Sequence, residues 1–278
     1  MKGKRYALNI DRLEVCYKAP REVMDSLEDT TSWDRGEYRL SEVSRDKIET
    51  LFKIEVLTPR EEVEWAVFAW LRIGNRFEKE EDTSRFCWIR LENEVLYRGE
   101  LSYLHYIADD LELEFHNITE IEIALDSNVN YFRRVKAAIK TEELTPIVLG
   151  KAYPDREEVI TKLLYIHTGN RIRYKTDTLV VKGGDISLKL YDKGREIEES
   201  GKDYIRESFG LLSGGLFRAE VKANNRALSD FCSASGSSQY DIYMQVLNRS
   251  LIFELWLYFC NKLLRFKEKR NLISLAQL

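Results

Sequence analysis

The chain contains few prolines and cysteines and a modest number of glycines, the residues that form turns or disulfide bonds. Its 278 residues include four prolines and 14 glycines, and no repeat or low-complexity tract is visible. The four cysteines are scattered without a Cys-x-x-Cys pair, so the sequence indicates neither a disulfide framework nor a zinc site. We therefore expect reduced, mostly buried thiols, as in a cytoplasmic protein.

Long hydrophobic runs are missing as well. No apolar stretch reaches the roughly 20 residues that a transmembrane helix needs. The first residues are basic, but the polar residues Asn9, Asp11 and Glu14 come soon after them, which is unlike a signal peptide. The sequence thus predicts a cytoplasmic protein without a membrane partner, and 44% apolar content suffices for one large domain or two small ones.

Histidine is too sparse to supply a metal site by itself. His105, His116 and His167 are far apart, and no His-x-His pair occurs, which excludes the two-histidine motif of many DNA-nicking enzymes. A glycine-rich phosphate loop of the Walker type is also missing. Any metal site must therefore be built from carboxylates.

Positive charge is unevenly distributed. The net charge of −4 does not indicate a nucleic-acid-binding protein, but a local basic patch can carry DNA contacts on an acidic protein. Between positions 171 and 195, seven basic residues face three aspartates; the seven are Arg171, Arg173, Lys175, Lys182, Lys189, Lys193 and Arg195. A second basic stretch, from Lys262 to Arg270, is interpreted as ordinary solvated surface.

Strand and helix patterns are mixed along the chain, which predicts an α+β protein with a largely antiparallel sheet and flanking helices. Phe86–Leu91 is expected to turn back as a hairpin into Val95-Leu96-Tyr97. A helix is expected over 129–140 with Asn128 as its N-cap. A long C-terminal helical region is expected over 240–270. The other expected strands are Leu13–Tyr17, Phe52–Leu57 and Trp65–Ile73, and a short helix is expected over Leu101–Ala108.

Pro146 and Pro154 flank a loop that is the best candidate boundary between two halves. The N-terminal half would cover residues 1–150. The C-terminal half, residues 151–278, would carry the tyrosine-containing strand and the C-terminal helices.

Three short stretches alternate so that reactive groups fall on one face of a strand. They are Glu120–Asp126, Ser187–Lys193 and Phe217–Lys222. Because side chains of a strand point alternately to opposite faces, each stretch puts charged groups on one side and apolar groups on the other. If the three strands share a sheet, one face collects carboxylates, lysines and a tyrosine.

The carboxylates of this face are candidates for a divalent metal site, since Mg²⁺ prefers oxygen ligands. Glu122 and Asp126 are about 13 Å apart along a straight strand and cannot bind one ion together. A cross-strand partner is closer, so we predict Glu220 with either Glu122 or Asp126. The alternative is a solvated sheet face of alternating charges.

Tyr191 shares its face with Lys189 and Lys193. A free phenol has a pKa near 10 and is a poor nucleophile, but nearby ammonium groups or a metal favour the phenolate. A tyrosine that attacks a phosphodiester forms a covalent tyrosyl–DNA intermediate. Tyr174, Tyr204 and Tyr243 are weaker alternatives.

Short motifs around these residues resemble the initiation proteins of rolling-circle replication (the Rep-trans type), which are similar to conjugative relaxases and to the gene II replication proteins of filamentous phages. The matching stretches are Ile121–Asp126, the turn Gly183–Ser187 followed by Leu190–Glu196, Phe217–Val221, and the opening Ile10-Asp11-Arg12-Leu13.

The resemblance implies a Rep-like fold and a cytoplasmic plasmid or phage enzyme that nicks one DNA strand at a replication origin. Tyr191 would become joined to the 5′ phosphate, assisted by Mg²⁺ or Mn²⁺, and Lys193 would contact or activate the phosphate. Glu122, Asp126 and Glu220 would be metal-site candidates. Arg218 joins the basic patch as a candidate DNA contact. Origin DNA, single-stranded or supercoiled, would be the main partner, with a host helicase and a second copy of the chain as further candidates.

Other functions stay open at this point. A conjugative or mobilisation relaxase would use the same chemistry. A non-catalytic DNA-binding protein would use the basic strand only to hold phosphate. In a structural or interaction protein, the same polar face would only contact solvent.

Overall fold

The computed structural model describes residues 6–58, 64–74, 83–155, 157–159, 178–210 and 215–278. These residues form a mixed α/β fold with a large antiparallel sheet, as the sequence predicts. The chain divides into two compact units. The first unit comprises Met1–Asp11 with Glu122–Leu278, and the second comprises Arg12–Ile121.

The described strands are β1 (Tyr6–Pro20), β2 (Ser32–Asp34), β3 (Tyr38–Arg45), β4 (Glu49–Thr58), β5 (Glu64–Gly74), β6 (Ser84–Leu91), β7 (Glu114–Ser127), β8 (Leu144–Val148), β9 (Lys151–Ala152), β10 (Leu179–Gly183), β11 (Ile186–Asp192), β12 (Phe217–Asn224), β13 (Leu264–Glu268) and β14 (Asn271–Ser274). The described α-helices are Arg21–Asp29, Asn93–Arg98, Ser102–Asp110, Tyr131–Lys140, Lys193–Ser200, Tyr204–Phe209, Asn225–Ser235, Gln239–Met244 and Arg249–Leu263, and a 3₁₀ helix covers Leu275–Gln277.

In the first unit, strands lie in the order β10, β11, β12, β7 from Glu122, and β1 up to Asp11. A smaller sheet has the order β14-β13-β8-β9. The helix Arg249–Leu263 packs against the main sheet, where the fully buried Trp256 donates its indole N–H to the Ala219 carbonyl at 3.0 Å. This contact makes one face of β12 part of the core and leaves the other face for polar groups.

In the second unit, the strand order is β7 up to Ile121, β1 from Arg12, β6, β5, β4, β3 and β2. Its described helices Arg21–Asp29 and Ser102–Asp110 pack on one face of these strands. Thr50 of β4 donates to Glu28 at 2.6 Å, and the rings of Phe68 and Tyr103 meet edge to face.

Several predicted elements are confirmed. The strands expected over Leu13–Tyr17, Phe52–Leu57, Trp65–Ile73 and Phe86–Leu91 lie within β1, β4, β5 and β6, and the short helix expected near Leu101–Ala108 is Ser102–Asp110. The sequence predicts mostly buried thiols, and all four cysteines are free and buried.

Three local predictions are corrected by the structure. Val95-Leu96-Tyr97 lies in the helix Asn93–Arg98, not in a hairpin strand, and Gly99 ends that helix in a left-handed conformation. The helix after β7 begins at Tyr131, because the side chain of Asn130, and not that of Asn128, accepts the Arg133 backbone N–H.

The third correction concerns the C-terminal region, which is helical only as far as Leu263. Beyond it, Leu264 and Phe266 are buried while Arg265 and Lys267 are more exposed. This period of two favours a strand, and the chain forms the hairpin of β13 and β14.

The predicted boundary near residue 150 falls inside the first unit, so the compact units differ from the two predicted halves. The sequence also predicts a helix over about 155–167, and most of these positions lie outside the described residues. Among the residues that the structure describes, no helix combines the length and apolar character needed to cross a membrane.

Candidate active site on the polar sheet face

The antiparallel pairing of β11 with β12 places the two predicted polar faces on the same side. Lys189 is opposite Glu220, Tyr191 is opposite Arg218, and Ser187 is opposite Lys222. Directly opposed residues of an antiparallel ladder point to the same face. The intervening Leu188, Leu190, Ala219 and Val221 are fully buried on the other face.

A group of three carboxylates lies on this polar face. Asp11 of β1, Glu122 of β7 and Glu220 of β12 each offer one oxygen, and these oxygens lie within 4.8 Å of one another. Hard oxygen ligands of this kind suit Mg²⁺ or Mn²⁺. Mg²⁺ binds oxygens at about 2.0–2.1 Å and usually retains several waters. The donor set and its spacing therefore fit a divalent ion after small side-chain adjustments.

Arg218 organises the carboxylates from inside the sheet. Its guanidinium binds Asp126 through two hydrogen bonds, Nε to Oδ1 at 2.6 Å and Nη2 to Oδ2 at 2.8 Å. Its Nη1 also binds Asp11 at 2.6 Å and lies 3.9 Å from Glu220. One fully buried arginine thus contacts a fourth carboxylate and two members of the three-carboxylate group.

These contacts bear on two predicted site residues. Asp126 lies outside the three-carboxylate group, with both of its oxygens bound to Arg218, in keeping with the separation from Glu122 along the strand. Arg218, a candidate DNA contact from the sequence, has no exposed surface. A phosphate on the protein surface therefore cannot reach its guanidinium in this conformation.

Tyr191 lies directly beside the carboxylate group. Its phenol donates to Oε2 of Glu220 at 2.8 Å, and Lys189 Nζ donates to Oε1 of the same carboxylate at 2.8 Å. A second lysine on this face, Lys222, has its Nζ 3.5 Å from Oε1 of Glu122. The sequence predicts that Tyr191 and Glu220 share a sheet face, and the structure brings the two side chains into hydrogen-bond contact.

The electrostatic environment of Tyr191 differs from the expected one. Burial, and secondly the negative charge of Glu220, raise the pKa of Tyr191 well above its usual value, although Arg218 opposes the shift. The nearby ammonium groups do not lower the pKa of Tyr191 below its usual value, because each is bound to a carboxylate. Lys189 binds Glu220 and Lys193 binds Glu196, both at 2.8 Å. The phenol therefore needs a proton acceptor, and Glu220 is placed to be one.

The other predicted basic residues occupy different surroundings. Lys193 is buried at the start of a helix, with its ammonium 5.8 Å from the centroid of the Tyr191 ring. Lys182 and Arg195 are exposed, and Arg195 donates its backbone N–H to the N-cap side chain of Asp192. Arg171, Arg173, Lys175 and the alternative Tyr174 lie outside the described residues.

Two members of the cluster were not singled out from the sequence. Asp11 appeared only inside the opening motif, because a single carboxylate in a strand carries no spacing signal. The sequence places Lys222 in an alternating stretch but gives it no role. Both are recognisable once the strand order brings β1, β7 and β12 together in the first unit.

No protein-family model and no curated protein sequence matches the chain. Among solved structures, the chain is similar to a rolling circle replication initiator protein from Geobacillus stearothermophilus, at 12% sequence identity and a TM-score of 0.38. The similarity covers 81% of this chain and 76% of that one. A TM-score this low carries no weight for function.

Proposed function

We propose that the protein nicks one strand of DNA through a covalent tyrosine intermediate, as an initiator of rolling-circle replication. The observation that carries the proposal is the 2.8 Å hydrogen bond from Tyr191 to Glu220, a member of the three-carboxylate group. A nucleophile, its base and candidate metal ligands then share one sheet face. The motifs around Tyr191, Glu122 and Glu220 favour the initiator role, and a relaxase would use the same groups.

In the proposed reaction, the Tyr191 oxygen attacks the phosphorus of a phosphodiester. The bond from phosphorus to the 3′ oxygen breaks, and the 5′ phosphate becomes joined to the tyrosine. The phenol proton passes to Glu220, and the departing 3′ oxygen takes up a proton from Glu220 or from water. One phosphodiester replaces another, so the bond remains available for rejoining.

Asp11, Glu122 and Glu220 would hold the divalent ion, Mg²⁺ or Mn²⁺. When bound, the ion supplies positive charge that stabilises the phosphate oxygens as charge develops on them. Lys189 and Lys222 lie beside the same carboxylates and are partly exposed, so they can contact a phosphate positioned over the cluster. The buried Arg218 guanidinium binds Asp11, and we propose that it positions this carboxylate for the ion.

The experiment compares Tyr191→Phe with Tyr240→Phe, a matched control at an exposed tyrosine (51% exposed). Each variant is incubated with supercoiled plasmid and with random-sequence single-stranded oligonucleotides in Mn²⁺. We expect Tyr191→Phe to abolish nicking while costing only about 0.5–1.5 kcal/mol of stability for the lost hydrogen bond to Glu220, whereas Tyr240→Phe behaves as the parent protein. Full nicking by Tyr191→Phe would remove Tyr191 as the nucleophile. Absence of any nicking or adduct with the parent protein would overturn the proposed function itself.

A further inference from the structure

Aromatic and cationic side chains share the outward face of the second unit's sheet. This aromatic face comprises Phe86, Trp88 and Arg90 of β6, Trp70 and Arg72 of β5, and Lys18 of β1. The strand register pairs Trp88 with Arg72, Trp70 with Arg90, and Phe86 with Lys18. Because opposed residues of an antiparallel ladder point to the same side, these six side chains form three neighbouring rows.

The opposite face of the same strands is the core of this unit. Cys87 and Ile89 of β6 and Leu71 of β5 are completely buried there. The helices Arg21–Asp29 and Ser102–Asp110 pack on that side, through the contacts made by Thr50 and Phe68. Within the residues that the structure describes, the aromatic face is therefore the less covered side of these strands, with Phe86 43% exposed and Trp70 and Trp88 partly exposed.

The rings on this face are held among polar and charged groups. The Arg72 guanidinium lies 4.9 Å from the centroid of the Trp88 ring, and the His116 ring lies 5.0 Å from that of Phe86 at an interplanar angle of 55°. The cores of most protein–protein interfaces are depleted in charged residues. An arrangement in which each aromatic ring neighbours a cation is instead typical of surfaces that stack bases and track phosphates.

Two cations of the face remain available for phosphate. Arg72 is bound to Glu14 at 2.9 Å and lies 3.6 Å from Glu49. Lys18 and Arg90 are exposed, and within the described part of the chain neither forms a salt bridge. They lie in the rows of Phe86 and Trp70, and the register also places the carboxylate of Glu14 opposite Arg90.

We infer that the aromatic face binds single-stranded nucleic acid, with bases stacked on Phe86, Trp88 and Trp70 and phosphates contacting Lys18 and Arg90. Unstacked bases are required for this contact, and a duplex keeps its bases stacked on one another. The face lies in the second unit and is distinct from the Tyr191 site. The inference therefore stands whether or not Tyr191 is a nucleophile.

The test measures binding of a labelled oligothymidylate of about 16 nucleotides, the upper end of single-strand site sizes. It uses the Tyr191→Phe protein in EDTA, so that no cleavage chemistry contributes. Phe86→Ala and Trp88→Ala should each weaken binding by about five- to 140-fold, the usual cost of losing one stacked base. Trp88→Phe keeps a ring and should retain most of the affinity, which separates stacking from a folding defect.

Trp33→Ala is the matched control. Trp33 is also partly exposed and stacks with Arg35 at 4.3 Å, but it pairs with the buried Leu40 and so belongs to the other face. We expect its affinity to be unchanged. Lys18→Gln or Arg90→Gln removes a positive charge. Each substitution should reduce the slope of log binding constant against log salt concentration by about 0.7 per lost phosphate contact.

Four results would overturn the inference. The first is the lack of any oligothymidylate binding at low salt. The second is an equal loss of affinity in Trp33→Ala and Trp88→Ala. The third is that a duplex of equal length binds more tightly than the oligothymidylate and that Phe86→Ala and Trp88→Ala do not change this duplex affinity. Concentration-dependent self-association that Phe86→Ala abolishes, without oligonucleotide binding, would show that the face is a protein interface and would also contradict the inference.

Discussion

Individual residues on the polar face act as a charge network before any ligand is considered. Four carboxylates, Asp11, Glu122, Asp126 and Glu220, are in contact with three cations, Arg218, Lys189 and Lys222. Counting these seven side chains alone, one negative charge is in excess, which favours uptake of a cation at the cluster. Burial of the pairs also makes the network sensitive to removal of a single member.

Glu122→Gln tests the metal site at the residue scale. The substitution keeps the shape of the side chain but removes a charged ligand, so we expect a marked loss of Mn²⁺ affinity. Parent protein should be stabilised by about 2.7 kcal/mol at 100 times the Mn²⁺ dissociation constant. Titration calorimetry and Mn²⁺-dependent thermal unfolding measure the effect. Glu143→Gln, at an exposed site of the same unit, is the control, and equal Mn²⁺ responses in both variants would exclude Glu122 as a ligand.

Arg218→Met tests the buried ion pair. It leaves Asp126 without a cationic partner in the interior, which typically costs about 3–5 kcal/mol. The double variant Arg218→Met/Asp126→Leu should recover part of this loss, because no unpaired charge remains at Asp126. Urea unfolding of the parent, both single variants and the double variant gives the coupling energy. Strictly additive effects would show that the two side chains do not depend on each other.

At the scale of elements, alternation along the sequence was sufficient to place the reactive side chains on one face. It predicted that Tyr191 and Glu220 share a face, and the β11–β12 register puts them in hydrogen-bond contact. Alternation could not assign strand order, and Asp11 became recognisable only through that order. Helix ends depended on one capping side chain, as the shift from Asn128 to Asn130 shows.

The contact between the helix Arg249–Leu263 and β12 gives a prediction at this scale. Trp256→Phe removes the indole N–H that binds the Ala219 carbonyl and leaves a small cavity in the core. We expect a loss of about 2–4 kcal/mol in the free energy of unfolding, from the unpaired carbonyl and the lost packing. Trp33→Phe, at a partly exposed tryptophan, should cost less than about 1 kcal/mol. Comparable losses in both variants would contradict the role of Trp256.

At the scale of the whole molecule, the buried cysteine thiols make the folded protein less stable as the pH becomes alkaline. Burial raises the pKa of Cys16 to about 12, and it also raises the pKa values of Cys87 and Cys260. An unfolded thiol ionises near pH 8.5. The folded state therefore keeps protons that the unfolded state loses, so stability is complete below about pH 8.5 and falls as pH rises towards 12.

At pH 10 the Cys16 thiol alone should account for about 2 kcal/mol of this loss, since one pKa unit corresponds to about 1.36 kcal/mol. Urea unfolding at pH 7 and pH 10 measures the change, with Cys16→Ala as the control that should show a smaller one. A pH-independent urea midpoint in the parent protein would contradict the burial of the thiols.

The two units present different surfaces: the first carries the Tyr191 site and the second carries the aromatic face. The central claim concerns the first, and it is tested most directly by locating the covalent bond to DNA. The protein is incubated with single-stranded oligonucleotides and Mn²⁺, digested with protease, and the nucleotide-bearing peptide is sequenced by mass spectrometry. The account predicts a phosphotyrosyl link at Tyr191, lost in Tyr191→Phe. An adduct at another residue, or strand cleavage without any adduct, would contradict it.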